Sequence, residues 1–423
     1  EITETAIERI EALNPAVNAV IYKCYDEALA AMESRKKRGP FHGVPYLIKD
    51  LHAPVKGMPL TNGSRFFEGM VFDFDSTLVA RLRAAGFVFL GRTNSPEFGL
   101  SASTEPRAYG PTRNPWNREH SAGGSSGGAG AAVASGMLPV THATDSAGSI
   151  RIPASANGLV GLKPTRGLNP YGPHRGDGNH GISHEHCVSR TVRDCAAILD
   201  ITAGPDVGAP FHSPKPTQLY RDVIREAPRP LRIGFMATNF DGSPVDADCA
   251  KAVKSTAKAL ANVGHEVEAA RPDFDHTALI DAMMTVLMGG LAPLADMRAK
   301  QRGRPIEEDD LEPQSHSVIA RSRAIDQLRK RIPEPRDPQG PGGAVMSERE
   351  DPSQSPEALV ERWRLAVLLA QLPDDQARIL RMRFHEGFSQ TEIAERTGIP
   401  LGTVKTYMVR GLRRLRELME AGA

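Results

Sequence analysis

Two clusters of glycine and serine fall within one stretch of the chain, Ser121 to Arg151. They are Gly123-Gly124-Ser125-Ser126-Gly127 and Asp145-Ser146-Ala147-Gly148-Ser149. Small residues ahead of a serine let several backbone N–H groups converge on one point, the geometry an oxyanion needs during acyl transfer. A phosphate-binding loop would require Gly-Lys-Ser/Thr after the glycines, and none follows. The first cluster also satisfies GxSxG, but a hydrolase elbow needs a strand immediately before it. Asn114 to His120 is polar and interrupted by Pro115 and Trp116. A glycine-rich turn without a catalytic role remains the other reading at this point.

A serine nucleophile needs a base. His42, His120, His142 and His180 are available, none in a recognisable triad context. The other candidate is Lys49, which ends the apolar run Pro45-Tyr46-Leu47-Ile48 and would be carried inward by a strand. A buried lysine without a full counter-charge loses proton affinity by desolvation and can act as a base. An ion pair with the adjacent Asp50 is the competing reading. His180, His184, His186 and Cys187 raise the question of a metal. Their spacing is not a zinc pattern, so they read as a polar loop near a cleft mouth, and no metal or cofactor is expected.

A second kind of chemistry lies near the C-terminus. Thr391 to Pro400 reads as a short helix ended by Gly398, and a second helix begins around Thr403, which is helix-turn-helix spacing. Ile393, Ala394, Ile399, Val404 and Met408 would form its small core. Thr403 near the helix start, together with an outer face of Lys405, Tyr407, Arg410, Arg413, Arg414 and Arg416, offers groups for DNA. From Phe388 to Arg416 six Lys and Arg outweigh two Glu, net +4, against +1 for the whole chain. A basic helix is often only a solvated face; joined to this turn it points to phosphates and base edges.

The elements needed to hold these groups divide the chain in two. Residues 1 to about 312 alternate helix and strand, which suggests a largely parallel, buried sheet covered by helices. Ile2 to Leu13 has helical spacing that Asn14-Pro15 should stop, and Ser76 is a fitting N-cap for a helix to Ala85. Strands are expected at Val44–Ile48, Phe87–Gly91, Leu231–Met236 and Glu266–Ala269, with a helix over Val245–Val263. Ala278 to Met297 is the most apolar stretch; Asp281 and Asp296 within it argue for a buried helix rather than a membrane span. Beyond, 313–332 reads as a basic helix, 333–356 as a Pro/Gly/Ser/Glu-rich flexible linker, and 357–423 as all-α. The 423 residues carry 52 Lys+Arg and 51 Asp+Glu, so whole-chain charge indicates no partner. Four cysteines without a CxxC pair exclude a disulfide scaffold and fit a reducing compartment. Glu1 is not followed by a signal-peptide pattern, and the expectation is a cytoplasmic protein that does not engage a membrane.

The motifs Gly43-Val44-Pro45 with Lys49-Asp50, Gly91 to Phe98, Gly123 to Gly128, Asp145 to Pro153 and Gly161 to Thr165 resemble the amidase signature family over about residues 1–312. Gly181 to His186 looks like the branch containing 6-aminohexanoate cyclic-dimer hydrolases. The resemblance implies an α/β fold with a mixed, largely parallel sheet and a Ser-Ser-Lys triad. Ser149 would be the nucleophile, Ser125 after a cis peptide the proton relay, and Lys49 the base. The N–H groups of Ser146, Ala147, Gly148 and Ser149 would line the oxyanion hole. Ala147 stands where the family usually has glycine, which requires its φ to stay negative. The family continues well past Glu312, so an incomplete domain with an unpaired sheet edge is expected. About 316–423 resembles the promoter-binding C-terminal domain of extracytoplasmic-function sigma factors, with 313–332 as the remnant of the preceding sigma domain. Promoter DNA and RNA polymerase are the partners this implies, beside a small-molecule amide substrate for the first part. The reading is a chimera joined near Glu312–Pro313. Its leading function is amide hydrolysis through an acyl-enzyme, and the alternative is a DNA-binding transcription module carrying an inactive amidase relic.

Overall fold

The computed structural model describes residues 1–33, 39–211, 213, 216–331, 372–384 and 388–421. Two compact units divide at Pro333/Glu334. The expected linker at 333–356 lies outside the described residues.

Unit 1 is α/β. Strands β1 (Val20–Lys23), β2 (Pro45–Lys49) and β3 (Val88–Thr93) form one sheet, with β2 parallel and β1 antiparallel to β3. In a second sheet, β6 (His184–Ser189) pairs antiparallel with both β4 (Val140–Asp145) and β5 (Val160–Gly161). β4 lies against β2. The mixed character is as expected, but parallel pairing is confined, among the described strands, to β2/β3 and to β7 (Arg232–Phe235) with β8 (Glu266–Ala269). The long excursion from Asp145 to His184 lets the chain return in either direction, so alternation alone does not fix strand sense. Nor is every strand buried. β2, β3, β4 and β6 are buried along their whole lengths, whereas β7 and β8 are largely exposed.

Local rules placed most elements correctly. The helix Thr77–Ala85 starts at Ser76, whose hydroxyl accepts from Val79 N–H, and ends at Gly86 in the left-handed region. The first helix does not stop at Asn14-Pro15; it runs Ile2–Val17 with Pro15 inside and ends at Asn18, φ 50°. Asn14 Oδ1 accepts from the N–H groups of Ala19 and Val20 at 2.8 Å, so it ties the helix end to β1 instead of breaking the helix. The apolar stretch around 278–297 forms two helices, His276–Gly289 and Leu291–Arg302. It is only partly the buried helix expected: Leu291, Ala292 and Ala295 pack on Phe66 and Phe67, but Leu279 is 51% and Ile280 38% exposed. By length and composition alone, this segment would suffice to cross a bilayer.

The expected boundary at 312/313 is displaced. The helix Pro313–Arg331 packs into unit 1: Val318 and Ile319 join the cluster of Phe66, Phe67 and Leu291. Glu97 accepts from Glu312 N–H at 2.7 Å and from the Ser315 hydroxyl, and Ser322 donates to Gly289 O at 3.0 Å. Its N-terminal half thus packs into unit 1, and burial, not basic composition, decides which unit it belongs to.

Unit 2 contributes the helices Asp374–Phe384, Gln390–Thr397 and Leu401–Ala421. Their core unites Leu372, Ile379, Leu380, Ile393, Val404 and Met408, with Ala394 and Ile399 at its margin. Gly411 sits where an added Cβ would lie 2.8 Å from Leu380 Cδ1, so glycine permits the close crossing of the outer helices.

Ile319→Ala should destabilise unit 1 by about 2–5 kcal/mol, the usual range for an aliphatic truncation in a core. Denaturant unfolding followed by Trp116 fluorescence in a Trp363→Phe background reads this, and an unshifted midpoint would return the helix to the second part.

Candidate functional site

Lys49 is the last residue of β2, and neighbouring groups fix its backbone on both sides. Its N–H donates to His142 Nδ1 at 3.3 Å, and its carbonyl accepts from Arg92 Nη1 at 3.1 Å. Its ammonium is fully buried, yet none of its three partners is a carboxylate. Nζ lies 2.7 Å from Ser125 Oγ, 2.9 Å from Ser126 Oγ and 2.9 Å from Thr144 Oγ1. Burial lowers its pKa from 10.5 to about 7, while the more distant Asp145 and Glu185 pull it upward. The ion pair with Asp50 does not form. Asp50 instead accepts from Thr61 N–H at 2.8 Å, the Thr61 hydroxyl and Gly63 N–H at 3.1 Å, with Arg92 at 4.0 Å.

The two serine clusters meet at this amine. Gly124–Ser125 is a cis peptide, and Gly124 is packed so closely that a Cβ would lie 2.7 Å from backbone atoms of residues 101–103. Ser126 opens the helix Gly127–Ala134, whose small residues are buried from Gly127 to Ala132 and allow it to lie close to the sheet. Ser126 N–H donates to Ser149 O at 3.3 Å, joining the first cluster to the second. Ser149 is half-buried just ahead of the helix Arg151–Asn157.

Asp145 organises the second cluster. Its carboxylate accepts from the N–H groups of Gly148 at 2.8 Å, Ile150 at 3.1 Å and Arg151 at 3.3 Å, and from the Arg151 guanidinium in two bonds of 2.8 Å. Burial alone would raise its pKa, but these donors outweigh burial and lower it. The Gly148 N–H, expected to face an oxyanion, is therefore committed to Asp145. Ser146, Ala147 and Ser149 remain as candidate donors. Gly148 has φ 125° and a Cβ there would meet Ile152 Cδ1 at 2.7 Å, whereas Ala147 keeps out of the positive-φ region, as its methyl requires.

Sequence reasoning missed Ser126 and Thr144 as partners of the amine. Ser126 was visible as the second serine of the GGSSGG run, while Thr144 carried no signal beyond its place before Asp145. Of the histidines, His142 receives the Lys49 N–H, and His120 and His180 are exposed. No strand precedes Ser125, which removes the elbow reading. A cavity of about 770 Å³ lined by Tyr22, Cys24, Met32, His42, Phe87 and Phe89 includes none of Lys49, Ser125, Ser126, Thr144 and Ser149.

In unit 2, Ser389 and Glu392 form a reciprocal capping box on the helix Gln390–Thr397, and Gly398 ends it at φ 71°. On the following helix, Lys405, Arg410, Arg413 and Arg414 are exposed. Thr403 and Tyr407 are half-buried, and Tyr407 packs against the core instead of standing free on the outer face. Arg414 is paired with Glu417 at 2.9 Å.

Residues 1–334 match the Amidase family, and residues 368–417 match Sigma-70, region 4. The 6-aminohexanoate-cyclic-dimer hydrolase of Paenarthrobacter ureafaciens is 43% identical over 329 residues, 76% of this chain and 66% of the relative. The acylamidase of Rhodococcus erythropolis is 38% identical over 281 residues, 65% of this chain and 58% of the relative. Among solved structures, a 6-aminohexanoate cyclic dimer hydrolase complexed with substrate superposes with TM-score 0.72 at 41% identity, covering 78% of this chain and 71% of the other. A bacterial aryl acylamidase gives TM-score 0.70 at 30% identity, with the same coverage of each chain. The chain thus spans 58–66% of the length of these curated relatives. Through its first 334 residues the chain belongs to the amidase signature family, and it carries a sigma-70 region 4 sequence after them.

Proposed function

We propose that unit 1 hydrolyses amides by a Ser149–Ser125–Lys49 relay. The observation that carries this is the buried Lys49 amine 2.7 Å from Ser125 Oγ, with hydroxyls as its other partners. The network suits a neutral amine. Ser126 Oγ gives its proton to Thr144 O at 3.2 Å, so Ser126 Oγ and Thr144 Oγ1 can accept the two N–H groups of Lys49. The lone pair then faces the Ser125 hydroxyl. As Ser149 Oγ attacks the carbonyl carbon, its proton passes to Ser125 and that of Ser125 to Lys49. The oxyanion is held by the N–H groups of Ser146, Ala147 and Ser149, each contributing about 2.7–4 kcal/mol to lowering the barrier. The relay returns the proton to the leaving amine, and water resolves the acyl-enzyme by the reverse route. Relatives named for a cyclic 6-aminohexanoate dimer and for acylamides support linear or cyclic aliphatic amides as the substrate class.

A second activity rests on a separate observation, the exposed Lys405, Arg410 and Arg413 on the second helix of a helix-turn-helix. Unit 2 would bind promoter DNA through phosphate contacts, as a sigma region 4 does. If unit 1 is inert, this is the function that remains.

A fluorophosphonate should label Ser149, as read by peptide mass; Ser149→Ala should abolish labelling, and Lys49→Met should slow it by about 10²–10⁴-fold. Absence of label on a folded chain would reject the relay. Amine release from linear and cyclic aminohexanoate oligomers then tests the substrate class.

The labelling rate should rise with pH and level off near pH 8. With a pKa of about 7, roughly a tenth of Lys49 is neutral at pH 6 and roughly nine-tenths at pH 8. A profile flat from pH 6 to 9 would remove Lys49 as the base.

For unit 2, the affinity for promoter duplex should fall with salt, with a slope of about −0.9 per phosphate contact. Arg413→Ala and Arg410→Ala should each flatten that slope by about one contact, and slopes equal to wild type would exclude this face.

A further inference from the structure

Where β6 meets the helix Val192–Thr202, three soft donor atoms converge outside the amide site. His186 Nε2 is 3.2 Å from Cys195 Sγ and 3.7 Å from Cys187 Sγ, and all three atoms lie within 4.8 Å of one another. All three residues are buried. Tetrahedral zinc, with Zn–S of about 2.3 Å and Zn–N of about 2.0–2.1 Å, spaces such ligands roughly 3.5–3.8 Å apart. The cluster is therefore close to a ligating arrangement already. A second observation points the same way: the fully buried hydroxyl of Tyr46, in the same apolar cluster as Cys187, has no hydrogen-bond partner. A buried hydroxyl left without a partner costs about 1–3 kcal/mol.

We propose that His186, Cys187 and Cys195 form a structural site for a divalent d¹⁰ metal ion of the zinc class, with the unpartnered Tyr46 hydroxyl of the apolar cluster that includes Cys187 as its fourth donor. Two thiols lose their protons on binding, and the ion replaces two H⁺. Two thiolates, a neutral imidazole and a divalent ion sum to zero, which suits a dry interior, whereas a monovalent ion would leave a buried negative charge. With Nε2 presenting its lone pair to the ion, the ring proton sits on His186 Nδ1, which is buried and makes no hydrogen bond. The bond would pin β6 to the helix that follows it. Because β6 pairs with β4, the site would stiffen the strand that ends in Thr144 and Asp145. No such pattern is visible along the chain because Cys195 lies eight residues beyond Cys187 and the turn at Arg190–Thr191 brings it back.

Since the donors are buried, the ion must enter as unit 1 folds. The full chain is therefore refolded from denaturant under thiol reductant with Zn²⁺ or Cd²⁺, desalted and assayed for metal per chain. For Cd²⁺ the thiolate-to-metal ultraviolet band is also read. About one ion per chain is expected. Cys195→Ser and His186→Ala, each checked for folding by circular dichroism, should lower retention at least tenfold, and Cys249→Ser, at an exposed thiol, should not. Substoichiometric metal in the folded wild type overturns the proposal. So does retention unchanged in both folded variants, or recovery of a Cys187–Cys195 disulfide with no metal.

Discussion

A lysine amine taken out of water with no carboxylate beside it is expensive, and unit 1 is organised around keeping one there. The fall of the Lys49 pKa from 10.5 to about 7 corresponds to a cost on the order of 5 kcal/mol at acidic pH. A domain's net stability is only about 5–15 kcal/mol. The sign follows from linkage. The unfolded chain keeps this proton up to about 10.5 and the folded chain releases it near 7, so the penalty is complete below 7 and shrinks as pH rises toward 10.5. What offsets it is apolar: Tyr46, Leu47 and Ile48 on the same strand are fully buried. The amine's position at the end of a strand buried on both faces is what makes both the cost and the basicity.

Holding the amine in place requires close backbone approach, and here the glycines and small residues act. Gly124 leaves no room for a side chain, and the Gly/Ala helix from Gly127 to Ala134 presses its start, and Ser126, against the sheet. Arg92 is buried too, and its guanidinium is spread over the carbonyls of Lys49, Ala53 and Pro59. That arrangement ties the end of β2 to the loop after it without placing a charge against the amine.

Much of this was legible beforehand because local rules and local chemistry agreed. The Lys49 strand, the paired Gly/Ser clusters and the Ser76 and Gly398 caps each rest on a short pattern with one physical meaning. What could not be read depended on distant contacts. Thr144 acts through β4 lying against β2, and the Gly148 N–H is diverted by a carboxylate three residues away whose own partner, Arg151, sits on the next helix. The helix Pro313–Arg331 reads as basic and resembles the tail of a sigma domain, whereas its place in the fold is fixed by Val318, Ile319 and Ser315, too few positions to stand out in a basic run.

Asp145 poses an electrostatic problem that its neighbours solve. A carboxylate close to a forming oxyanion would oppose it, and a carboxylate near Lys49 would raise the amine's pKa and spoil it as a base. Yet the loop from Ser146 to Ser149 needs an acceptor to fix its turn, and only a group with several lone pairs can take three N–H groups at once. Arg151 reconciles these demands. Its two 2.8 Å bonds to Asp145 cancel most of the charge while leaving the geometry intact, and its own side chain remains half exposed. The loop thereby keeps the directional hold of a carboxylate at small electrostatic cost to either the amine or the oxyanion. One consequence is that charge and shape cannot be exchanged separately here: an asparagine at 145 would keep the size but strand the Arg151 charge and lose acceptors for the loop.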